Sequence, residues 1–304
     1  MTTIPHIDAA KLRARDPETL AQLRIAAQDV GFMTLENSAI PAEKVLRVID
    51  AYRRFFHLPE ADRARVDMAR TGSNRGWGAP FSEHVDPDAN PDYKQVFDCG
   101  FELPANDPLA AHPFYAPNIW PEAPADFRAL IEDYATSAMQ VALETLQGIL
   151  AAIGQDPHQF DQSFAKPMAL LRGNYYPSRP ANAGAKDFGI APHTDYGCIT
   201  LLATDGVSGL EVLARDGKWI TVDAKPGSFV INFGEMLETW TNGAIRATLH
   251  RVIGSQEKRI SVPLFFNPAF DTNVAPLGSD EVQLAGEHLS KRYNETYVHL
   301  KKPA

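Results

Sequence analysis

The chain has 304 residues, 44% hydrophobic and 22% charged, with a net charge of −9, enough apolar content for one large domain or two modest ones. The acidic balance argues against nucleic acid, which requires a basic surface to displace counterions. The two distant cysteines, Cys99 and Cys198, argue against a disulfide framework. With no signal-peptide pattern at Met1-Thr2-Thr3-Ile4-Pro5 and no bilayer-length apolar run, a soluble cytoplasmic protein acting on a small molecule, not a membrane, is expected.

A short apolar strand is expected around Ile4 to Ile7. Asp16-Pro17-Glu18 then reads as a helix start, with Asp capping, Pro in the first turn and Glu at the positive end. Leu20, Leu23, Ala27 and Val30 follow at helical spacing, and Gly31 ends the run. Phe32 to Leu35 reads as a strand. A second amphipathic helix begins near Pro41, with Val45, Val48, Ile49, Tyr52 and Phe56 on one side, and stops at Leu58-Pro59-Glu60. From about Thr71 to Pro124 periodicity is lost and turn-forming residues are frequent. So long an irregular stretch is more often functional than idle. Its aromatics, from Trp77 to Trp120, imply a lid across a pocket or a meander packed outside a sheet.

A long helix is expected from about Pro124 to Ile153, buried along Phe127, Leu130, Ile131, Tyr134, Ala138, Val141 and Leu146. Short β-rich runs follow: Met168 to Tyr176, Ile199 to Ala203, Leu210 to Leu213, Trp219 to Val222, Phe229 to Phe233, Thr248 to Ile253 and Ile260 to Phe266. Asp205-Gly206, Asp216-Gly217, Pro226-Gly227 and Asn242-Gly243 supply turns between them. Many close strands mean a sandwich or barrel and not alternating β-α units. Gly286 to Leu300 reads as a last helix. The expected organisation is a region over 1–120 packed on a catalytic region over 121–304, whose β core spans about 165–270, in one compact unit.

Within Ala191 to Gly197, His193 and Asp195 are two apart, so an extended strand would present both on one face. That is two thirds of a facial iron site, and His250 on another strand is the natural third ligand. A lone strand histidine is usually a packing residue, so the combination carries the assignment. Zinc with a bound water tolerates the same donors. Arg259, two residues before Ser261 on an apolar strand, demands an anionic partner. That partner is either a ligand carboxylate, held bidentately, or an acidic residue of the chain. Alternation puts Arg172, Asn174 and Tyr176 on one strand face, where they read as pocket donors or, should that face meet solvent, as ordinary polar strand residues.

Together these motifs resemble the iron(II)- and 2-oxoglutarate-dependent dioxygenases of the isopenicillin N synthase-like branch. The resemblance rests on Asn174-Tyr175-Tyr176-Pro177, His193-Thr194-Asp195, Gly227 to Glu235, Thr241-Asn242-Gly243, His250-Arg251-Val252 and Arg259-Ile260-Ser261, and at the N-terminus on Ile4 to Asp8 and Gly31-Phe32. It implies a mainly β fold with flanking helices around a double-stranded β-helix (jelly roll). It further implies Fe(II) on His193, Asp195 and His250, and the distal carboxylate of 2-oxoglutarate on Arg259 and Ser261 with help from Tyr176. Asn174 would lie beside the cosubstrate, and Arg172 near the metal-bound carboxylate or on a substrate carboxylate. The implied reaction uses 2-oxoglutarate and O2 to hydroxylate, desaturate or cyclise a small molecule, releasing succinate and CO2, with ascorbate as a candidate reductant.

Isopenicillin N synthase itself uses the Arg-x-Ser pair for its peptide substrate without 2-oxoglutarate, so a 2-oxoglutarate-independent iron oxidase is the alternative. A zinc-dependent hydrolase and a catalytically silent jelly-roll binding protein are further readings. Substrate contacts are expected from Phe81, Glu83, Tyr93, Gln95, Phe97 and Phe266; their mixed character suits a small polar molecule such as an amino acid or a modified natural product.

Overall fold

Local sequence signals set the first elements of the computed structural model, which describes residues 3–70, 73–83, 90, 92–179, 181, 183–184 and 186–296. Strand β1 (His6–Asp8) leads into helix α1 (Ala9–Arg13), whose first free N–H groups are taken by the Asp8 carboxylate. Helix α2 (Pro17–Ile25) starts as its Asp-Pro-Glu signal predicts, with Asp16 accepting from the Thr19 N–H at 2.9 Å. It continues as a π turn over Ala26–Val30 and ends at Gly31, whose φ of 77° is left-handed. Strand β2 (Phe32–Glu36), helix α3 (Ala42–Phe56) and the short helix α4 (Glu60–Arg63) follow.

The stretch expected to be irregular contains two strands, β3 (Gly76–Gly78) and β4 (Gln95–Gly100). Both are short, and glycine and polar residues interrupt their apolar alternation. The lid expectation falls in part on residues 71–72, 84–89 and 91, which lie outside the described residues. Helix α5 (Phe127–Ala152) is the expected long helix. Then come β5 (Leu170–Tyr176), β6 (Ile190–His193), β7 (Ile199–Thr204), β8 (Leu210–Leu213), β9 (Trp219–Thr221) and β10 (Phe229–Phe233). Helix α6 (Glu235–Trp240), β11 (His250–Val252), β12 (Arg259–Phe266) and helix α7 (Ala285–Thr296) complete the chain. Residues 297–300 of the expected last helix lie outside the described residues. No helix among the described residues is long and apolar enough to cross a membrane.

The strands form two sheets, one of eight in the order β1-β2-β10-β7-β12-β5-β4-β3 and one of four in the order β6-β11-β8-β9. Strand alternation divides the large sheet into two environments. On β12, Ile260, Val262, Leu264 and Phe266 pack toward the helices, while Arg259, Ser261, Pro263 and Phe265 line the space between the sheets. On β5, Leu171 and Tyr175 join the helix side, and Arg172, Asn174 and Tyr176 line the inner side.

The helix side holds an aromatic cluster in which Phe97 stands 4.8 Å from Phe55 and 5.1 Å from Phe127, centre to centre. Each such buried phenylalanine contributes about 1.5–3 kcal/mol of transfer free energy. Gly173 is glycine for lack of room: a Cβ there would stand 2.1 Å from the Tyr52 ring. Gly173→Ala therefore forces Tyr52 off its seat and is expected to cost about 1–3 kcal/mol, measured by chemical denaturation.

Candidate active site

His193 closes β6, His250 opens β11, and the two are direct cross-strand partners with ring centres 4.3 Å apart. Each ring is oriented by its own strand. The Nδ1–H of His193 donates to the Ala191 carbonyl at 2.7 Å, and that of His250 to the Thr248 carbonyl at 3.1 Å. A carbonyl can only accept, so the protons sit on Nδ1 and both Nε2 lone pairs are available to an ion. Burial first, then the neighbouring His250, lowers the His193 pKa and favours its neutral form. A neutral imidazole leaves its Nε2 available to an ion.

Asp195 differs from expectation: β6 ends at His193, and the carboxylate comes from the loop beyond it. That loop is pinned by the Glu235 N–H on the Asp195 carbonyl at 2.8 Å and by the Thr194 hydroxyl on the Glu235 carboxylate. Oδ2 of Asp195 accepts from the Thr200 hydroxyl and, at 2.7 Å, from the Asn232 amide. Oδ1 is left facing the imidazoles, 3.8 Å from His193 Nε2 and 3.7 Å from His250 Nε2. Burial works against the charge on Asp195, but the two histidines and these hydrogen bonds hold its pKa below the usual carboxylate range. The three donors lie within 4.8 Å of one another, and two imidazoles with one carboxylate suit a ferrous ion with open positions.

Across the same cavity lies Arg259, 3% exposed. Its Nε donates to the Val207 carbonyl at 3.1 Å, its guanidinium stacks 5.0 Å over the Tyr176 ring, and Nη1 has no partner. No acidic side chain among the described residues pairs with it, so the internal salt bridge weighed from the sequence is not formed among them. Ser261 faces Asn174 across the β12–β5 ladder, their side chains 3.4 Å apart, and Oδ1 of Asn174 is also unpartnered. A cavity with a candidate ion site at one end and, at the other, a guanidinium with an unpartnered Nη1 beside the Ser261 hydroxyl and the Asn174 amide fits a 2-oxo dicarboxylate.

Arg172 is a correction. It lines the neighbouring chamber, but its Nε and Nη2 bind Asp98 at 2.8 and 2.6 Å and its Nη1 binds Glu83 at 2.8 Å. Two carboxylates of the chain already hold the group expected to meet a cosubstrate or substrate carboxylate. Glu83 also takes Lys94 at 2.6 Å, and Lys94 takes Asp92 at 2.9 Å. Burial opposes ionisation of Glu83, but Arg172 and Lys94 outweigh it and hold its pKa at about 2.

Of the expected substrate contacts, Glu83 alone lines this chamber. Phe97 and Phe266 are core residues on the helix side, because strand parity turns them away. Gln95 is engaged by Arg63 and Trp77, Tyr93 donates to the Ile253 carbonyl, and Phe81 is 60% exposed. Asn232, Thr200, Lys94 and Asp98 join the site without an expectation from the sequence. Asn232 was a lone polar residue inside Phe229 to Phe233, and Asp92-x-Lys94-x-Val96-x-Asp98 alternates along one face.

Comparison with known proteins agrees with this geometry. Residues 4–123 match a family model described as non-haem dioxygenase in morphine synthesis, N-terminal, and residues 167–268 match the 2OG-Fe(II) oxygenase superfamily. A homoarginine-6-hydroxylase of Glycine max is 33% identical over 98% of each chain. A 2-oxoglutarate-dependent dioxygenase of Didymella fabae is 32% identical over 92% of this chain and 91% of its own. Among solved structures, a full-length Neurospora crassa protein in complex with alpha-KG and thymine superposes with a TM-score of 0.85 at 26% identity, covering 96% of both chains. Such proteins are non-haem iron oxygenases built on the double-stranded β-helix. This chain belongs to the 2OG-Fe(II) oxygenase superfamily and is an iron- and 2-oxoglutarate-dependent dioxygenase, which favours the oxygenase reading over the zinc hydrolase.

Proposed function

We propose that His193, Asp195 and His250 hold the ferrous ion, that Arg259 and Ser261 take the distal carboxylate of 2-oxoglutarate, and that Tyr176 and Asn174 line its seat. The enzyme then oxidises a C–H bond of a small polar molecule in the chamber bordered by Glu83, Lys94 and Tyr196. The observation that carries this reading is the buried guanidinium of Arg259, bound by no carboxylate of the described residues and facing the triad across one cavity. When bound, iron supplies the redox chemistry that couples decarboxylation of 2-oxoglutarate to succinate and CO2 with oxidation of the substrate. The chain orients both reactants and excludes water. Placement of the C–H bond selects among hydroxylation, desaturation and ring closure, and ascorbate would serve as reductant. Similarity to a homoarginine hydroxylase and to a protein solved with thymine bound supports a small polar substrate.

Regions 1–120 and 121–304 would act as one unit, supported by β1 to β4 sharing a sheet with β5, β7, β10 and β12. A cytoplasmic setting is in keeping with two free, buried cysteines. The test is calorimetric, on protein loaded with Mn(II) to prevent turnover. 2-Oxoglutarate is expected to bind at least about tenfold more tightly than 2-oxobutyrate, which lacks the distal carboxylate. Equal affinities would count against the role of Arg259.

A further inference from the structure

A second cavity adjoins the chamber beside the triad. Leu170 and Tyr293 wall both spaces, and beyond them the second is lined by Arg75, Asn74, Phe114 and Met168. Arg75 immediately precedes β3 and is 2% exposed. Its guanidinium meets no carboxylate among the described residues. Nη1 and Nη2 donate to the main-chain carbonyls of Asn74 at 2.9 Å and Phe114 at 2.5 Å, and Nε has no partner. Gly100 makes room for the group, since a Cβ there would stand 2.2 Å from Nη2. The side-chain oxygen of Asn74, also buried, is unpartnered as well.

A desolvated cation satisfied only by carbonyl dipoles is costly to the free protein. Burial accordingly lowers the Arg75 pKa. The nearby carboxylate of Asp98 offsets this only in part, and both of its oxygens are bonded to Arg172 and not to Arg75. Arg75 is therefore in the same condition as Arg259: a buried guanidinium at the wall of a cavity, with one nitrogen unpartnered and no carboxylate of the described residues bound to it.

We infer that the Arg75 cavity is the far end of the substrate site and binds a carboxylate, so that the substrate is a small organic acid. Its carboxylate sits against Arg75, and a carbon farther along its chain reaches past Leu170 and Tyr293 toward the triad. This rests on the reading of His193, Asp195 and His250 as the iron site. Arg172 lies nearer the triad but is already paired to two acids, which leaves Arg75 as the carboxylate receptor. The unpartnered acceptor on Asn74 gives an amino or hydroxyl group beside that carboxylate a partner.

The test uses full-length protein with Mn(II) and saturating 2-oxoglutarate, titrated calorimetrically with hexanoate and with hexanamide. Hexanoate is expected to bind at least about tenfold more tightly than the amide, the scale of a charge-assisted contact to arginine. In Arg75→Gln that preference disappears while 2-oxoglutarate still binds. Ser290→Leu narrows the cavity from α7 and leaves Arg75 in place, and it is expected to weaken hexanoate to a similar extent. Equal binding of acid and amide by the parent overturns the inference, as does an undiminished affinity for hexanoate in either variant. Failure of 2-oxoglutarate to bind the parent counts against the cosubstrate reading instead. The hexanoate comparison is then still decided by Arg75→Gln, or by Ser290→Leu should the glutamine variant not fold.

Discussion

In an Arg259→Ala variant, the affinity for 2-oxoglutarate is expected to fall about 30-fold or more, because losing one partner of a buried, hydrogen-bonded charge pair costs about 2–5 kcal/mol. The free protein pays no such penalty. Among the described residues its guanidinium has one carbonyl, one aromatic face and no counter-charge, so the variant sheds a desolvated cation along with some packing. Binding and stability are thereby separated. 2-Oxoglutarate raises the melting temperature of the parent by mass action, and the variant loses that increment. Arg259→Lys keeps the charge without the planar fork and falls between the two. A melting curve with and without 2-oxoglutarate reads all three proteins, and an unchanged ligand-dependent increment in the alanine variant would remove Arg259 from the site.

Asp195→Ala is expected to abolish metal binding at micromolar concentrations. The Asp195 carboxylate has two tasks, one per oxygen: Oδ1 faces the imidazoles, and Oδ2 ties the loop to Thr200 and Asn232. Its removal deletes a ligand and leaves a buried hydroxyl and amide without their acceptor. Asn232→Ala deletes only one support and is expected to weaken the metal about 10- to 100-fold, as losses of such outer hydrogen bonds do. Titration of apoprotein with Fe(II) under anaerobic conditions ranks the variants. An alanine at 195 that retained iron like the parent would mean a different ligand set.

Features that depend on strand parity or on short motifs were legible in the sequence; pairings across the fold were not. The clustering of His193, Asp195 and His250 could be read because two of them stand two apart in the chain and the third sits in an apolar strand. The route by which Asp195 arrives could not, since the end of β6 and the pinned loop depend on Glu235, far along the chain. Arg172 was placed on the correct face of β5, yet its counter-charges lie on β4 and before it, where the apolar pattern gave no strand. Phe266 shows the cost of a one-residue parity error, and Phe97 that of a strand with no apolar signature. The adjacent Asp98 and Phe265 are the residues that face inward, toward Arg172 and the chamber respectively. Arg75 lay in the same unread stretch, and its want of a carboxylate is visible only once its neighbours in the fold are known.

The most direct test of the central claim is an anaerobic visible spectrum of the protein reconstituted with Fe(II), before and after 2-oxoglutarate, beside the Arg259→Ala and Asp195→Ala variants. A weak charge-transfer band should appear in the parent on adding 2-oxoglutarate. It should require far more 2-oxoglutarate in Arg259→Ala and be absent in Asp195→Ala. Iron retained by the parent with no band at any concentration would contradict the account, as would a band that formed equally well in both variants.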